Sequence, residues 1–333
     1  MPTAAYWRVD SANGTIRCEL CPHGCHIAEG RFGLCKVRCN KGGSMALPFF
    51  GLVSSVAVDP IEKKPLYHFL PGSRVFSAGF VGCNMRCPFC QNWQISQEIP
   101  AALDRHDAET LVAAALQSGT PSIAFTYSEP TVHFEFVMAA MAAAKTAGLK
   151  NVLVTNGCIE SGPARELLGL TDAVNVDLKT WSSEAYEKTL GGRKDTVLEF
   201  IRIAFSLCHI EATTLIIPGI SDSMEGITSI SGFLAGISRD IPLHLSAYHP
   251  AWKHVAPPTS LGLLDELARA ARKNLRFVYI GNVQGEGSDT VCPNCGSTLI
   301  TRRSYRIHIM GMAISGSSGS CGTCGSALPI IVA

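Results

Sequence analysis

The chain has 333 residues, 47% of them hydrophobic, and 28 basic against 27 acidic side chains leave a net charge of +1. That length suits one α/β domain with appendages, and the balanced charge excludes a general electrostatic pull on nucleic acid or an acidic partner. No apolar run reaches the roughly 18 residues of a membrane span, and Met1–Asp10 has no basic and apolar leader. Fourteen cysteines without an export signal argue for metal sites in a reducing, cytoplasmic compartment and against a disulfide framework.

Twelve of the cysteines form three groups; Cys158 and Cys208 stand apart among apolar neighbours and read as buried, inert thiols. In the first group Cys18-x2-Cys21 is a metal half-site that Cys25 and Cys35 would complete, with His23 and His26 interleaved. Gly30 and Gly33 let the chain fold back between them. Zinc and an Fe–S cluster both accept four thiolates, and spacing alone does not separate the two. Cys39 is surplus, either a solvent-near thiol or an alternative ligand. Lys41–Ser44 is turn chemistry, and Pro60–Ser73 is a proline-punctuated connector into a strand at Arg74–Val81. Residues 1–72 are expected to form an N-terminal Cys-rich metal module and connector.

The strand delivers the chain to a tight loop, Gly82–Trp93, where Cys83, Cys87 and Cys90 follow a C-x3-C-x2-C spacing. A [4Fe–4S] cluster normally takes four thiolates. Three from one loop therefore leave one iron open to a substrate or cofactor. The bland alternatives are a zinc knuckle lacking its fourth ligand and a chance grouping.

From Val75 to about Ile280, short β-branched runs alternate with helix-period stretches. Strands are expected at Ser122–Tyr127, Asn151–Thr155, Ala173–Leu178, Thr213–Ile217, Pro242–Ala247 and Phe277–Ile280. Helices are expected at Ala108–Gln117, Val132–Ala147, Ala164–Leu168, Ser182–Thr189, Thr196–Cys208, Met224–Ile237 and Leu261–Ala271. This alternation means βαβ units and a parallel sheet, here a partial (β/α) barrel over residues 73–285. Chemistry on such a fold sits at the C-terminal ends of the strands. Polar residues gather there: Ser128-Glu129, Asn156-Gly157, Asp177-Leu178-Lys179, Ser221-Asp222 and Tyr248-His249. Singly these read as turn or capping residues, and Lys179 as an ion-pair partner of Asp177. Together on one rim, beside the cysteine loop, they point to a shared active site.

Residues 286–333 carry Cys292-x2-Cys295 and Cys321-x2-Cys324, each pair followed by glycine, around an expected strand at Arg302–Ile309 and a Gly/Ser loop at Ser315–Ser320. Four thiolates with no open position suit structural zinc in a zinc-ribbon-like module, with a rubredoxin-like iron site as the minor alternative.

The Cys83–Cys90 spacing, with Phe89 before the last cysteine, resembles the signature of the radical S-adenosyl-L-methionine (SAM) superfamily. The wider match is to the branch of pyruvate formate-lyase (glycyl-radical) activating enzymes, and more narrowly to the radical SAM member of the AmmeMemoRadiSam system. It rests on Cys-Glu-Leu-Cys-Pro-His (18–23), Ile-Glu-Lys-Lys-Pro-Leu-Tyr-His (61–68), Gly-Cys-Asn through Cys-Gln-Asn (82–92), Thr-Tyr-Ser-Glu-Pro (126–130), Val-Asp-Leu-Lys (176–179), Ile-Pro-Gly (217–219) and Gly-Asn-Val (281–283). The resemblance implies a (β/α)6-type radical SAM barrel whose [4Fe–4S] cluster is ligated by Cys83, Cys87 and Cys90. The open iron would chelate SAM's amino and carboxylate groups. Glu129, Asn156, Asp177, Lys179 and His249 match positions that contact SAM or its ion. Tyr127-Ser128-Glu129 stands where the family has Gly-Gly-Glu, and Val154 where such activases tend to carry an aspartate that helps hold a monovalent cation.

The implied activity is reductive cleavage of SAM to methionine and a 5′-deoxyadenosyl radical that abstracts hydrogen from a substrate, with no separate catalytic base. An electron donor of flavodoxin or ferredoxin type is implied. So is a protein substrate presenting a glycine Cα–H, with a Memo-like or AMMECR-like partner. Radical modification of a small molecule, peptide or nucleic acid is the alternative, and a non-catalytic Fe–S or zinc scaffold the reading from another class. The near-neutral charge gives nucleic acid no support.

Overall fold

The computed structural model describes residues 3–10, 14–283 and 288–332. The boundary expected between residues 285 and 286 lies outside them. The central sheet has eight strands: β1 (Ser55–Pro60), β2 (Arg74–Gly79), β3 (Ser122–Thr126), β4 (Lys150–Thr155), β5 (Ala173–Asp177), β6 (His209–Ile216), β7 (Leu243–Ala247) and β8 (Val278–Gly281). They lie in sequential order, β2 to β8 all parallel and β1 antiparallel at the edge against β2. Sequential order with right-handed crossovers sends every connecting helix to the same face, the arrangement of an open barrel. The helices are α1 (Ala108–Gln117), α2 (Phe134–Thr146), α3 (Ser161–Gly169), α4 (Lys194–Leu207), α5 (Met224–Ile237) and α6 (Leu261–Ala271).

Period-two alternation divides the strand residues between two cores. Phe76, Ala78, Ile123, Phe125, Leu153, Val174, Val176 and Ala212 pack with the helices. Val75, Ala124, Val152 and Ala173 face the other way, onto Ile61, Leu66, Phe69 and Leu70. The connector is thus a plug that covers the N-terminal half of the sheet's concave face. Its polar partner is Glu211, fully buried, which accepts hydrogen bonds from the backbone N–H groups of Tyr67 (3.0 Å) and His68 (2.7 Å). His244 and His209 also meet this carboxylate, at 2.7 and 3.0 Å. Burial alone would raise Glu211, but the two imidazoles outweigh it and hold the carboxyl well below its usual range.

Several expectations change in detail. The sheet takes in β1, upstream of the strand at which the core was expected to begin. β6 starts at His209, four residues before the apolar run suggested, because Glu211 there is buried by partners rather than by hydropathy. The helix expected at Ser182–Thr189 is a π-helical turn, Ala185–Leu190, closed by Gly191 at φ 66°. Near the C-terminus, Arg302–Ile309 is not one strand. Thr298–Arg303 and Arg306–Ile309 form a hairpin that turns at Ser304-Tyr305, with Ser304 at φ 54°. The Gly/Ser stretch is a second hairpin, Met312–Ser315 with Ser318–Cys321, whose two-residue turn begins at Gly316 with φ 59°. The strand Ala327–Ile331, paired with Ser318–Cys321, rests on the plug: Ile331 N–H donates to His68 O and Leu70 N–H to Ile331 O, both at 2.8 Å.

At the other end, Trp7–Val9, Ile16–Cys18 and His26–Ile27 form a small antiparallel sheet. Arg38 anchors this module. It is 1% exposed and forks onto Glu135 in the first turn of α2 at 2.8 and 2.9 Å.

Candidate functional site

β2 leads through Phe80 and Val81 to Gly82, whose φ of +76° turns the chain into the cysteine loop. A Cβ at Gly82 would run into the carbonyl of Cys35 and the side chain of Val37. The loop is held by backbone bonds to distant elements: Gly82 N–H to Ile95 O (2.8 Å), Arg86 N–H to Leu190 O (2.7 Å) and Lys253 N–H to Pro88 O (2.9 Å). Trp93 stacks on Trp252 across the rim, with centroids 6.3 Å apart.

Cys83, Cys87 and Cys90 share a cavity of about 450 Å³ with Glu129, Asn156, Asp177 and Lys179. This is an ordinary size for a small-molecule site. Burial pushes the Cys83 thiol well above its normal range and Cys87 to about 11. Buried thiols of this kind become thiolates when cationic iron lies between them. Donors for those thiolates are in place: Met85 N–H on Cys83 Sγ (3.3 Å), Asn156 Nδ2 on Cys83 Sγ (3.7 Å), and the Ser96 hydroxyl 3.2 Å from Cys90 Sγ. The residues therefore fit a three-thiolate cluster.

The five positions matched to SAM contacts differ in what they do. Lys179 Nζ lies 2.9 Å from Asp177 Oδ2. Burial would lower its pKa, but Asp177 and Cys87 outweigh that and raise it, so the ammonium is firmly charged. Asn156 donates to Asn84 Oδ1 (2.9 Å) and accepts from Cys158 N–H (2.8 Å), tying the end of β4 to the cysteine loop. Glu129 is 1% exposed and accepts four bonds, from Thr131 N–H and Oγ1, Thr155 Oγ1 and Asn156 N–H. It joins the ends of β3 and β4. His249 is exposed, outside the cavity lining, with Nε2 3.2 Å from Asn282 O; Asn282 lines the cavity in its place.

Asp59 is not among the residues that the sequence singles out, although Lys63, Lys64 and Tyr127, which it holds at the cavity wall, lie in the matched stretches. Asp59, on β1, meets Lys63 (2.8 Å), Lys64 (2.7 Å), Ser77 Oγ (2.8 Å) and the Tyr127 hydroxyl. Lys64 also sits 4.2 Å above the Tyr127 ring, and Tyr127 itself is at φ 71°. Burial opposes the Asp59 charge, but these donors hold its carboxyl far below the usual range. Adjacent lysines inside an otherwise apolar connector were the available signal.

At the C-terminal end, the sulfurs of Cys292, Cys295, Cys321 and Cys324 lie within 4.8 Å of one another, with the Cys292–Cys324 and Cys295–Cys321 pairs at 3.6 Å. A tetrahedral ion with bonds of about 2.3 Å spaces its sulfurs about 3.8 Å apart. The group can hold one metal ion, and its sulfur chemistry and spacing suit zinc. Cys18, Cys21, Cys25 and Cys35 line a separate cavity beside the cysteine loop, while Cys39 lies outside it.

The radical SAM superfamily model matches residues 79–228. The uncharacterized protein MJ0808 of Methanocaldococcus jannaschii is 40% identical over 307 residues, covering 90% of this chain and 91% of that one. Pyruvate formate-lyase 1-activating enzyme of Escherichia coli is 26% identical over 191 residues, 55% of this chain and 77% of that enzyme. Among solved structures, Streptococcus suis SuiB shares the fold at a TM-score of 0.51 and 15% identity, over 67% of this chain and 52% of its own. Among the described residues no helix is long and apolar enough to cross a membrane. With the cysteine loop at the C-terminal rim of a parallel sheet and these relatives in view, the chain belongs to the radical SAM superfamily.

Proposed function

We propose that this protein is a radical SAM oxidoreductase that acts, as an activating enzyme does, on a hydrogen of a partner protein. The observation that carries the reading is the single cavity shared by three cysteine sulfurs, the Asp177–Lys179 pair, and Lys64 with Tyr127, which Asp59 holds in place from behind. Cys83, Cys87 and Cys90 would hold a [4Fe–4S] cluster. When bound, cluster and SAM supply one-electron cleavage of a C–S bond and the 5′-deoxyadenosyl radical that takes a hydrogen from substrate.

The chain's own residues would orient and shield. Lys179 offers a charged donor for a carboxylate at the open side of the cluster. Asp177 neutralises that lysine before a ligand binds and can take an ammonium once the carboxylate arrives. Asn156 fixes Cys83 by hydrogen-bonding its sulfur and Asn84 together. Glu129, saturated by four donors, would act on SAM by setting the backbone of Tyr127-Ser128 and Asn156 at the cavity wall. His249 would serve at the rim, where a substrate or the adenosine end of SAM arrives. The low-potential donor would be of flavodoxin or ferredoxin type, and the protein substrate a Memo-like or AMMECR-like partner. Residues 292–324 would hold structural zinc.

The test is anaerobic incubation of reconstituted protein with SAM and a strong reductant. Production of 5′-deoxyadenosine is expected, with a SAM-shifted EPR signal of the reduced cluster. Mass spectrometry of the candidate partner before and after turnover then reads the site of hydrogen loss. Absence of SAM cleavage would leave only the scaffold reading.

A further inference from the structure

The Cys18–Cys35 group is built differently from the C-terminal four-cysteine group. All four sulfurs of Cys292–Cys324 lie within 4.8 Å of one another, and among the described residues the N-terminal set forms no such single-ion group. Cys83, Cys87 and Cys90 likewise form no such single-ion group. Sulfurs around a single ion crowd together; sulfurs around a cube of iron and sulfide stand back to make room for it. Cys18, Cys21, Cys25 and Cys35 all line one small apolar cavity, closed by Leu20 and Val132. Their order in sequence repeats the same pattern in reverse. Cys18, Cys21 and Cys25 fall at C-x2-C-x3-C within eight residues, as Cys83, Cys87 and Cys90 do at C-x3-C-x2-C, and Cys35 supplies a fourth thiol.

The surroundings suit thiolates. Backbone N–H groups of Leu20, His23 and Val37 point at Cys18, Cys21 and Cys35, and the buried Arg38 guanidinium reaches Cys18. Hydrogen bonds to the sulfurs are among the features that set a cluster's potential. The site is also wired to the SAM loop. His23 Nε2 lies 2.7 Å from Asn84 O, and Asn84 Nδ2 donates to Cys158 O at 2.7 Å. Cys158 N–H donates to Asn156 Oδ1, and Asn156 Nδ2 reaches Cys83 Sγ. Cys35 O abuts Gly82, the residue before Cys83.

We infer that Cys18, Cys21, Cys25 and Cys35 hold a second [4Fe–4S] cluster that passes electrons singly to the Cys83–Cys90 centre. With four thiolates it has no open iron and binds no SAM. A donor of flavodoxin or ferredoxin class reduces it from 2+ to 1+. It returns to 2+ as the Cys83–Cys90 cluster goes from 2+ to 1+, with one electron moved and no bond made or broken. The cluster's existence stands on the cysteines alone; its relay role rests on the radical SAM reading.

The test uses the full chain, reconstituted anaerobically with iron, sulfide and zinc. In Cys83→Ala/Cys87→Ala/Cys90→Ala, about four irons per chain are expected to remain, from one cluster held by four thiolates, with a reduced EPR signal that SAM leaves unchanged. An iron-free variant that gains a second zinc would overturn the inference. In Cys18→Ser/Cys21→Ser, SAM cleavage driven by reduced flavodoxin is expected to be lost, while dithionite-driven cleavage and the SAM-shifted signal persist. Unchanged flavodoxin-driven turnover would overturn the relay. If that variant fails to fold by circular dichroism, wild-type iron decides: about eight per chain supports the second cluster and about four overturns it. If SAM alters no signal in the wild type, the SAM reading fails, and the triple variant still decides this one.

Discussion

Lys179 shows how one residue type acquires a function through its neighbours. An exposed lysine beside an aspartate contributes little, but here the pair opens onto the cavity of the three cysteines, with Lys179 held charged against burial. Lys179→Met is expected to weaken SAM binding about tenfold, the loss of one charge-assisted hydrogen bond, measured by equilibrium titration of the reconstituted protein. An unchanged dissociation constant would return the residue to a plain ion pair. Glu129 is the contrasting case, since all four of its hydrogen bonds go to the protein. Glu129→Gln places an NH2 among donors, and about 1–3 kcal/mol of stability is expected to go with it. Urea denaturation reads this, whether or not SAM is present.

At the scale of elements, the helices whose ends the sequence marked best are those with side-chain caps. α1, α5 and α6 begin where expected, behind Asp107, Ser223 and Ser260, each of which accepts a backbone N–H of the first turn. α2, α3 and α4 lack such caps, and their starts differ from expectation by two or three residues. The cysteine loop depends on Gly82 in a further sense, because its missing Cβ lets the N-terminal module touch the loop. Gly82→Ala is expected to drive the two apart and to lower both iron retention and thermal stability. Wild-type iron content in that variant would show that the contact can shift without cost. In the C-terminal hairpins, Cys324 is lowered to about 5 by hydrogen bonds from Asn294 and Ser326. Chelation of a metal ion held by Cys292, Cys295, Cys321 and Cys324 is expected to expose residues 290–332 to protease while the central sheet stays resistant, read by limited proteolysis with and without chelator.

Across the whole molecule, the plug under the sheet joins the barrel to the C-terminal hairpins and makes stability depend on pH. His68 lies against Phe277, with Nε2 2.6 Å from the Tyr279 hydroxyl, and burial lowers it from 6.5 to about 3. Burial likewise lowers His133 to about 4. Both stay neutral in the fold and take a proton in the unfolded chain below about pH 6.5. Their contribution is complete above that value and is lost as pH falls toward 3–4, where the folded groups titrate. The urea midpoint is therefore expected to be lower at about pH 5 than at about pH 7.5, with a smaller drop in His68→Asn. An equal drop in the variant would remove His68 as a source.

The local pattern was enough to determine the parallel α/β sheet, the three-thiol loop at its rim and the polar strand ends, because each is written in contiguous residues: β-branched runs, C-x3-C-x2-C, and polar residues after apolar ones. Tertiary structure decided what those residues face. Glu129 and Glu211 are both acids on strand ends or interiors, yet one joins two strands and the other receives the plug, since their donors come from 26 and over 140 residues away. Lys64 and Tyr127 became one wall of the cavity, tied together by Asp59, only when β1 paired with β2. Sulfur spacing, too, depends on how four distant thiols are held. For that reason the same residue type could be written in three groups in one sequence, of which the fold gathers Cys292, Cys295, Cys321 and Cys324 within 4.8 Å of one another.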